Sequence, residues 1–246
     1  MPVTFTLKTD DGQMDVVSCQ PNGAGPWPAV ILYMDAMGIR PDFIGMAERL
    51  AAMGFVVAVP NLFYRSGPQP PVDPVRFVQP GPERDRVFAL IQSITHAMVM
   101  RDTEAVLAYL DSMPTVKGPS VGTLGYCMGG GYALTAAGTF PTRVAAAASF
   151  HGGWLATEKA DSPHRLAAQM RAQLYVGVAG IDPMFPPEEC ERLRAALEAA
   201  GCAFELKVYE GVRHGFSVTG HPVYDRTASE EHWQVLARFF PKVLKA

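Results

Sequence analysis

Two short runs in which apolar and polar residues alternate open the chain, at residues 4–9 and 14–20. Asp10-Asp11-Gly12-Gln13 separates them, and Asp-Gly between alternating runs favours a β-hairpin. Beyond the hairpin, apolar runs of strand length alternate with stretches of helical periodicity. Further strands are predicted at residues 29–34, 55–60, 120–126, 144–150, 173–179 and 203–210. Helices are predicted at residues 42–53, 83–95, 98–113, 187–200 and 225–240, with another beginning near Gly129.

This order of elements predicts an α/β fold. Strands that are joined by helices run parallel and are covered on both faces, so we expect about eight strands in a mostly parallel sheet. The N-terminal hairpin supplies an antiparallel edge. The Pro-rich stretch 68–82 is too short to link two domains, and we expect a loop there that crosses the C-terminal edge of the sheet. Residues 1–246 are therefore expected to form a single domain.

Composition and charge narrow the possible function classes. Hydrophobic residues make up 48% of the chain and charged residues 18%, which is enough apolar material for one sizeable core. The net charge is −3 without a basic stripe, so we expect no nucleic-acid partner. No apolar run approaches the roughly 20 residues that cross a bilayer, so we expect no membrane partner. The N-terminus has no secretory pattern, which predicts a cytoplasmic protein. We expect the protein to be a monomer or a weak dimer.

The four cysteines do not have the pattern of a disulfide scaffold or a zinc site. They form no CxxC pair, and none lies at zinc-ligand spacing from the six histidines. We therefore expect free thiols, no metal and no cofactor. Of the histidines, His221 and His232 are expected at the surface.

The strongest local motif follows the predicted strand 120–126. Residues 125–130 read Gly-Tyr-Cys-Met-Gly-Gly, which places Cys127 at a strand-to-helix turn with small neighbours on both sides. A tight turn of this kind needs glycines so that the backbone can double back without Cβ clashes. A cysteine at a helix N-terminus is also favoured as a thiolate. The alternative is a buried structural cysteine in a Gly-rich turn.

A thiol nucleophile needs a base, and the base needs a third group that fixes its tautomer. Asp182 and His214 each follow a predicted strand, in the chain order nucleophile, acid, histidine that is typical of α/β-hydrolases. Because the carboxyl ends of parallel strands share one edge, both residues are expected beside Cys127. His151 also follows a strand, but it precedes Asp182 and breaks that order. We interpret it as a pocket-lining or structural residue.

Residues 125–130, Asp182 and the Arg-His-Gly-Phe of residues 213–216 together resemble the dienelactone hydrolase (carboxymethylenebutenolidase) family. The resemblance extends from residue 29 to residue 240. It implies an α/β-hydrolase fold, a carboxylic ester hydrolase of the EC 3.1.1 class, and a catalytic triad of Cys127, Asp182 and His214.

The same resemblance implies further site residues. Asp35 matches a family acid that holds the thiol proton until substrate arrives, and the N–H groups of Ala36 and Met128 match the oxyanion hole. Arg65 resembles an arginine that holds a substrate carboxylate. Two positions depart from the family: its acid is typically Glu, one methylene longer than Asp35, and Val218 stands where a second carboxylate-binding arginine is expected.

Three functions remain open from the sequence. The first is a cysteine-dependent hydrolase of activated esters or enol-lactones, with or without a carboxylate, that works through a thioester on Cys127. The second is a general carboxylesterase for small esters. The third is a catalytically idle hydrolase fold in which Cys127 is redox-sensitive.

Overall fold

The computed structural model describes residues 1–245, in which eight strands form one sheet. The strands are β1 (Val3–Thr9), β2 (Gly12–Cys19), β3 (Trp27–Tyr33), β4 (Val56–Pro60), β5 (Val116–Tyr126), β6 (Val144–Phe150), β7 (Gln173–Ile181) and β8 (Phe204–Arg213). Their order across the sheet is β1-β2-β4-β3-β5-β6-β7-β8. β2 pairs antiparallel with both β1 and β4, and the remaining pairs are parallel. The predicted mostly parallel sheet with an antiparallel hairpin at one edge is confirmed.

Seven α-helices connect and cover these strands within the described residues. They are α1 (Pro41–Ala52), α2 (Pro74–Phe77), α3 (Pro82–Gln92), α4 (His96–Ser112), α5 (Met128–Thr139), α6 (Pro187–Ala199) and α7 (Arg226–Leu244). Two 3-10 helices, Tyr64–Ser66 and Pro163–Gln169, lie in the connections. The Pro-rich stretch that was expected to be a plain loop contains α2, whose N-cap Asp73 accepts hydrogen bonds from the N–H groups of Val75 and Arg76.

Helices lie on both faces of the sheet, as β5 shows. Successive strand residues point to opposite faces. A Cβ on Gly122 would lie 2.8 Å from Cε1 of Phe240 in α7, whereas the hydroxyl of the next residue, Thr123, donates to the Ala133 carbonyl of α5 at 3.0 Å. α7 and α5 therefore sandwich the middle of the sheet. This explains why β4 and most of β3 are buried throughout and read as continuous apolar runs.

α7 extends past the end that its sequence predicts. Pro241 interrupts the pattern and suggests a stop after Phe240, but the helix continues to Leu244. A proline removes one backbone donor from a helix. Phe240 is fully buried and Leu244 is 7% exposed, so packing on the sheet keeps the last turn in place. Within residues 1–245, no helix has both the length and the apolar composition to cross a membrane.

Candidate active site

Cys127 is the single residue between the end of β5 and the start of α5, and its backbone is strained. Its φ of 55° lies in the left-handed region that non-glycine residues rarely adopt, with ψ at −123°. Such a conformation costs about 1–3 kcal/mol and persists where the surroundings hold it. Here the Cys127 N–H donates to the Phe150 carbonyl at 3.3 Å, and its carbonyl accepts from the Gly153 N–H at 3.2 Å. The backbone is thus fixed from the neighbouring strand, with the side chain at the carboxyl end of the sheet.

The glycines around Cys127 permit close backbone contacts. A Cβ on Gly125, in β5, would overlap the carbonyl of Gly129 in the first turn of α5. A Cβ on Gly129 would overlap the Tyr33 carbonyl and lie 2.7 Å from the Met34 carbonyl. The first turn of α5 therefore rests directly against the end of β3. This contact brings the loop after β3 beside the nucleophile candidate.

Two backbone N–H groups at this junction are unpaired. Neither the N–H of Ala36 nor that of Met128 donates to an acceptor within residues 1–245, although both residues are nearly fully buried. The first N–H groups of a helix lack intrahelical partners, which accounts for Met128. Together the two donors match the pattern of an oxyanion hole.

Asp182 and His214 are brought together from the ends of neighbouring strands. β7 ends at Ile181 and β8 at Arg213, so both residues are the first beyond their strands. The Met184 N–H donates to Asp182 Oδ1 at 2.9 Å, and His214 Nδ1 meets Asp182 Oδ2 at 2.8 Å. The Asp182 side chain is 1% exposed and that of His214 13%. This pairing directs His214 Nε2 away from the carboxylate.

The charge of Cys127 acts on His214. Nε2 of His214 is buried and has no hydrogen-bond partner within the described residues. Burial lowers the pKa of His214, but its interactions with Cys127 and the Asp182 carboxylate outweigh burial and raise it to about 10. These two neighbours therefore favour the protonated, imidazolium form of His214.

Two cavities lie near the two unpaired backbone N–H groups. The first, of about 480 Å³, reaches Met37, the residue after Ala36. The second, of about 430 Å³, reaches Met128. α3 contributes residues to both cavities. Cys127, Asp182 and His214 line neither of them, and Cys127 is only 7% exposed.

Comparison with known proteins fits this geometry. The family model described as "Dienelactone hydrolase family" matches residues 14–244. The chain belongs to the dienelactone hydrolase family. The predicted resemblance is confirmed, and with it a carboxylic ester hydrolase.

Individual members of the dienelactone hydrolase family are distant relatives. A provisionally named carboxymethylenebutenolidase of Synechocystis sp. is 28% identical over 243 residues, with 98% of this chain and 96% of that protein covered. The carboxymethylenebutenolidase of Rhodococcus opacus is 26% identical over 226 residues, covering 89% and 83%. A solved structure from Klebsiella pneumoniae, provisionally named a dienelactone hydrolase, superimposes with a TM-score of 0.85 at 22% identity, covering 98% of both chains. The α/β-hydrolase fold is thereby confirmed.

Asp35 does not contact the nucleophile candidate in the way that the family resemblance implies. Its two carboxylate oxygens accept from Arg40 at 2.7 and 2.8 Å, and Oδ1 also accepts from the Met37 N–H at 2.9 Å. The carboxylate is thus occupied by a guanidinium from its own loop. The role of Asp35 in holding the thiol proton stays a prediction, and these contacts already engage both of its oxygens.

Arg65, which is expected to hold a substrate carboxylate, contacts carboxylates of the protein itself. Its two terminal nitrogens donate to the buried Asp102 carboxylate, each at 2.8 Å, and the guanidinium also donates to Asp11. The Tyr64 hydroxyl adds a further donor to Asp102 at 2.9 Å. Arg65 therefore ties the hairpin to α4, and its donors are engaged by protein carboxylates. Val218, at the second expected arginine position, is fully buried.

Besides His214, three histidines lie in or near the site: His151, His221 and His232. The sequence pattern predicted only His151 near the site. His151 is 1% exposed, its Nε2 contacts Ser217 Oγ at 2.9 Å, and its ring packs edge-on against His214 at 5.1 Å. Burial holds its pKa well below the usual range, so it packs as a neutral ring. Its interpretation as a structural residue agrees with this position.

The other two histidines were expected at the surface, and that expectation is wrong. His232 is fully buried, with Nε2 2.8 Å from the Tyr126 hydroxyl and Nδ1 2.6 Å from the Ser229 carbonyl. The half-buried His221 packs its ring over Gly215, beside His214. No local pattern predicts either contact, because each depends on a loop or helix that folds back from further along the chain.

Proposed function

We propose that this protein is a cysteine-dependent hydrolase of activated esters and enol-lactones that works through a thioester on Cys127. The observation that carries the proposal is the strained turn of Cys127, which faces a histidine already bonded to Asp182. Family membership supports ester or lactone chemistry in general. The identity of the nucleophile rests on the geometry.

Acylation begins from the thiolate of Cys127 and the imidazolium of His214. The sulfur forms a bond to the carbonyl carbon, and the C=O π electrons move to oxygen, where the N–H groups of Ala36 and Met128 receive the oxyanion. Loss of one such donor typically slows catalysis by about 10²–10³. When the oxyanion collapses, the C–O bond to the leaving group breaks and His214 Nε2 gives its proton to the departing oxygen.

Deacylation reverses the proton transfer. Neutral His214, held in one tautomer by Asp182, takes a proton from water, and the hydroxide oxygen bonds to the thioester carbon. The C–S bond then breaks, which releases the acid and restores the thiolate beside an imidazolium. A thiolate leaves readily, so acylation reverts unless the alcohol is a good leaving group. This preference favours aryl esters and enol-lactones over alkyl esters and amides.

The test compares variants of two cysteines. Cys127→Ala is expected to abolish hydrolysis of p-nitrophenyl acetate and of a dienelactone, whereas Cys202→Ala leaves both rates unchanged. Cys202 is a suitable control because its thiol contacts the Ala167 carbonyl at 3.3 Å, away from the triad. Full activity in Cys127→Ala would exclude Cys127 as the nucleophile.

A second candidate function, a carboxylesterase for small uncharged esters, is favoured by the charge pairing around the site. Arg65 is engaged by Asp102 and Asp11, and the two arginines that line the first cavity, Arg40 and Arg86, pair with Asp35 and Glu83. A panel of matched esters with and without a free carboxylate tests whether the site recognises a negatively charged substrate. Equal or higher kcat/KM for the uncharged member of each pair supports the carboxylesterase.

A further inference from the structure

The cavity that reaches Met128 has the position and lining of an acyl-binding subsite. We propose that it binds the acyl part of the ester and selects a neutral, apolar group of about the size of one aromatic ring. The inference rests on the proposed function, since it assumes that Cys127 is acylated. Its volume of about 430 Å³ falls within the range of small-molecule pockets, about 300–1,000 Å³.

The cavity begins at residues that adjoin Cys127, although Cys127 itself does not line it. Met128 supplies one oxyanion-hole N–H and also lines the cavity, as does Gly153, whose N–H donates to the Cys127 carbonyl at 3.2 Å. Tyr132, another lining residue, is buried, and burial together with the charge of Cys127 raises its pKa above the usual range. A carbonyl carbon bonded to the sulfur can therefore direct one substituent into this space.

The leaving group is assigned to the side of His214, outside the cavity at Met128. His214 protonates it, and the ring of His221 packs over Gly215, the residue after His214. Asp35 and Arg40 lie close enough to perturb the pKa of His221, which burial lowers to about 4. Arg40 lines the first cavity. The Asp35–Arg40 pair at the first cavity thus lies near His221 and His214, which leaves the cavity at Met128 for the acyl group.

The lining of the second cavity combines apolar and polar residues, and its formal charges balance. Phe88 and Ile91 of α3 and the ring of Trp154 provide apolar surface. Lys159 and Asp161, both exposed, place opposite charges among the lining residues. The opposite charges of Lys159 and Asp161 cancel and both side chains are exposed, so the lining as a whole favours a neutral acyl group over a carboxylate.

The backbone of Trp154 fixes the position of this lining residue in the second cavity. It has a φ of 56°, in the left-handed region, and its N–H donates to the Met184 carbonyl at 2.9 Å. The side chain remains 36% exposed, although most large apolar residues here are buried. A strained residue that keeps an aromatic ring at a cavity is consistent with ligand contact.

The polar ring of His96 does not add a positive charge to this cavity. His96 lines it, and its Nδ1 contacts Thr135 Oγ1 at 2.7 Å. Burial lowers the pKa of His96 below its ordinary value, so the ring is neutral at pH 7. The cavity therefore offers stacking surface and no net charge.

Gly131 allows the cavity to be narrowed without strain. A Cβ there would meet His96 at 3.5 Å and Pro163 at 3.7 Å, which are ordinary contacts, and Gly131 lies inside α5. Replacing a helical glycine by alanine favours the helix by up to about 1 kcal/mol. Gly131→Ala and the larger Gly131→Val should therefore fold while occupying space inside the subsite.

The experiment compares p-nitrophenyl acetate with p-nitrophenyl benzoate, which share a leaving group. We expect Gly131→Ala to lower kcat/KM for the benzoate by about tenfold and to change that for the acetate by less than about twofold, with a larger selective loss in Gly131→Val. Gly45→Ala is the matched control. Gly45 is helical, like Gly131, but it is exposed and has open space around it. Phe88→Ala removes subsite surface from another helix and should also lower kcat/KM selectively for the benzoate.

The outcomes separate the subsite from the chemistry. Cys127-dependent turnover of the acetate, with equal effects of Gly131→Ala and Phe88→Ala on both esters, would overturn the subsite and leave the proposed function standing. Turnover of the acetate that survives Cys127→Ala would remove the proposed function itself. A selective loss of benzoate hydrolysis in the Gly131 variants supports the acyl subsite.

Discussion

At the scale of single residues, the site depends on how protons and charges are held around one sulfur. Asp182 uses one carboxylate oxygen for the Met184 N–H and the other for His214. This division leaves Nε2 as the nitrogen of His214 that does not contact the carboxylate. The sequence order of Cys127, Asp182 and His214 predicted this association, because each residue follows a strand of one parallel sheet.

Asp182→Asn tests whether the Asp182 carboxylate fixes the tautomer of His214. The amide is nearly isosteric, but it can present N–H to Nδ1 and favour the wrong tautomer of His214. We expect kcat/KM for p-nitrophenyl acetate to fall by about 10²–10⁴ with little loss of folding stability. Asp111→Asn, at an exposed ion pair with Arg143, serves as the control and should retain full activity. An active Asp182→Asn enzyme would contradict the assigned role.

At the scale of elements, close backbone contact positions the site. Gly129 lets α5 rest on the end of β3, and the pairing of Arg65 with Asp102 attaches the segment after β4 to α4. The glycine spacing predicted the first contact. The second could not be predicted, because Asp102 lies inside a helix 37 residues from Arg65 and nothing local marks it as a partner.

Gly129→Ala should disrupt the junction of α5 and β3. The added Cβ would overlap the Tyr33 carbonyl, and neither backbone segment can move without shifting the sheet. We expect a loss of about 3 kcal/mol in the free energy of unfolding, measured by urea denaturation. Gly45→Ala, in open space on α1, should be neutral or stabilising. Equal stability of the two variants would show that the contact is not close.

Arg65→Gln distinguishes a structural role from substrate binding. It leaves the fully buried Asp102 carboxylate without its charged partner, so we expect a loss of about 3–5 kcal/mol of stability. The ratio of kcat/KM for carboxylated and uncharged esters should not change. Arg101→Gln, at a more exposed contact with Asp11, should cost less than about 1 kcal/mol. A selective loss with carboxylated esters would instead support the role first expected for Arg65.

At the scale of the whole molecule, the alternation of apolar runs and helical stretches predicted the sheet, its parallel core and the edge that bears the site. Long-range contacts were less accessible. His232 appeared to be a surface residue because its burial depends on α7 packing under Tyr126, more than 100 residues away in sequence. The pairing of Asp35 with Arg40 likewise depends on the loop conformation after β3.

Buried neutral histidines predict acid sensitivity. Burial lowers the pKa of His232 to about 3, whereas an unfolded histidine titrates near about 6.5. Between these values the unfolded chain binds the additional proton, so the stabilisation is complete above pH 6.5 and is lost as pH falls toward 3. The free energy of unfolding of the wild type should fall as the pH is lowered from 6 to 4.5. We expect His232→Phe to reduce this slope by up to about 1.4 kcal/mol per pH unit. An unchanged slope would contradict neutral burial of His232.

The most direct test of the central claim is to find the acyl group. Wild-type protein is mixed with p-nitrophenyl acetate, quenched in acid within the first turnover, digested and analysed by mass spectrometry. A thioester mechanism predicts one acetyl group on the peptide that contains Cys127, absent from Cys127→Ala and present in Cys202→Ala. An acetyl group that appears on another residue during turnover, with Cys127 unmodified, would contradict the account.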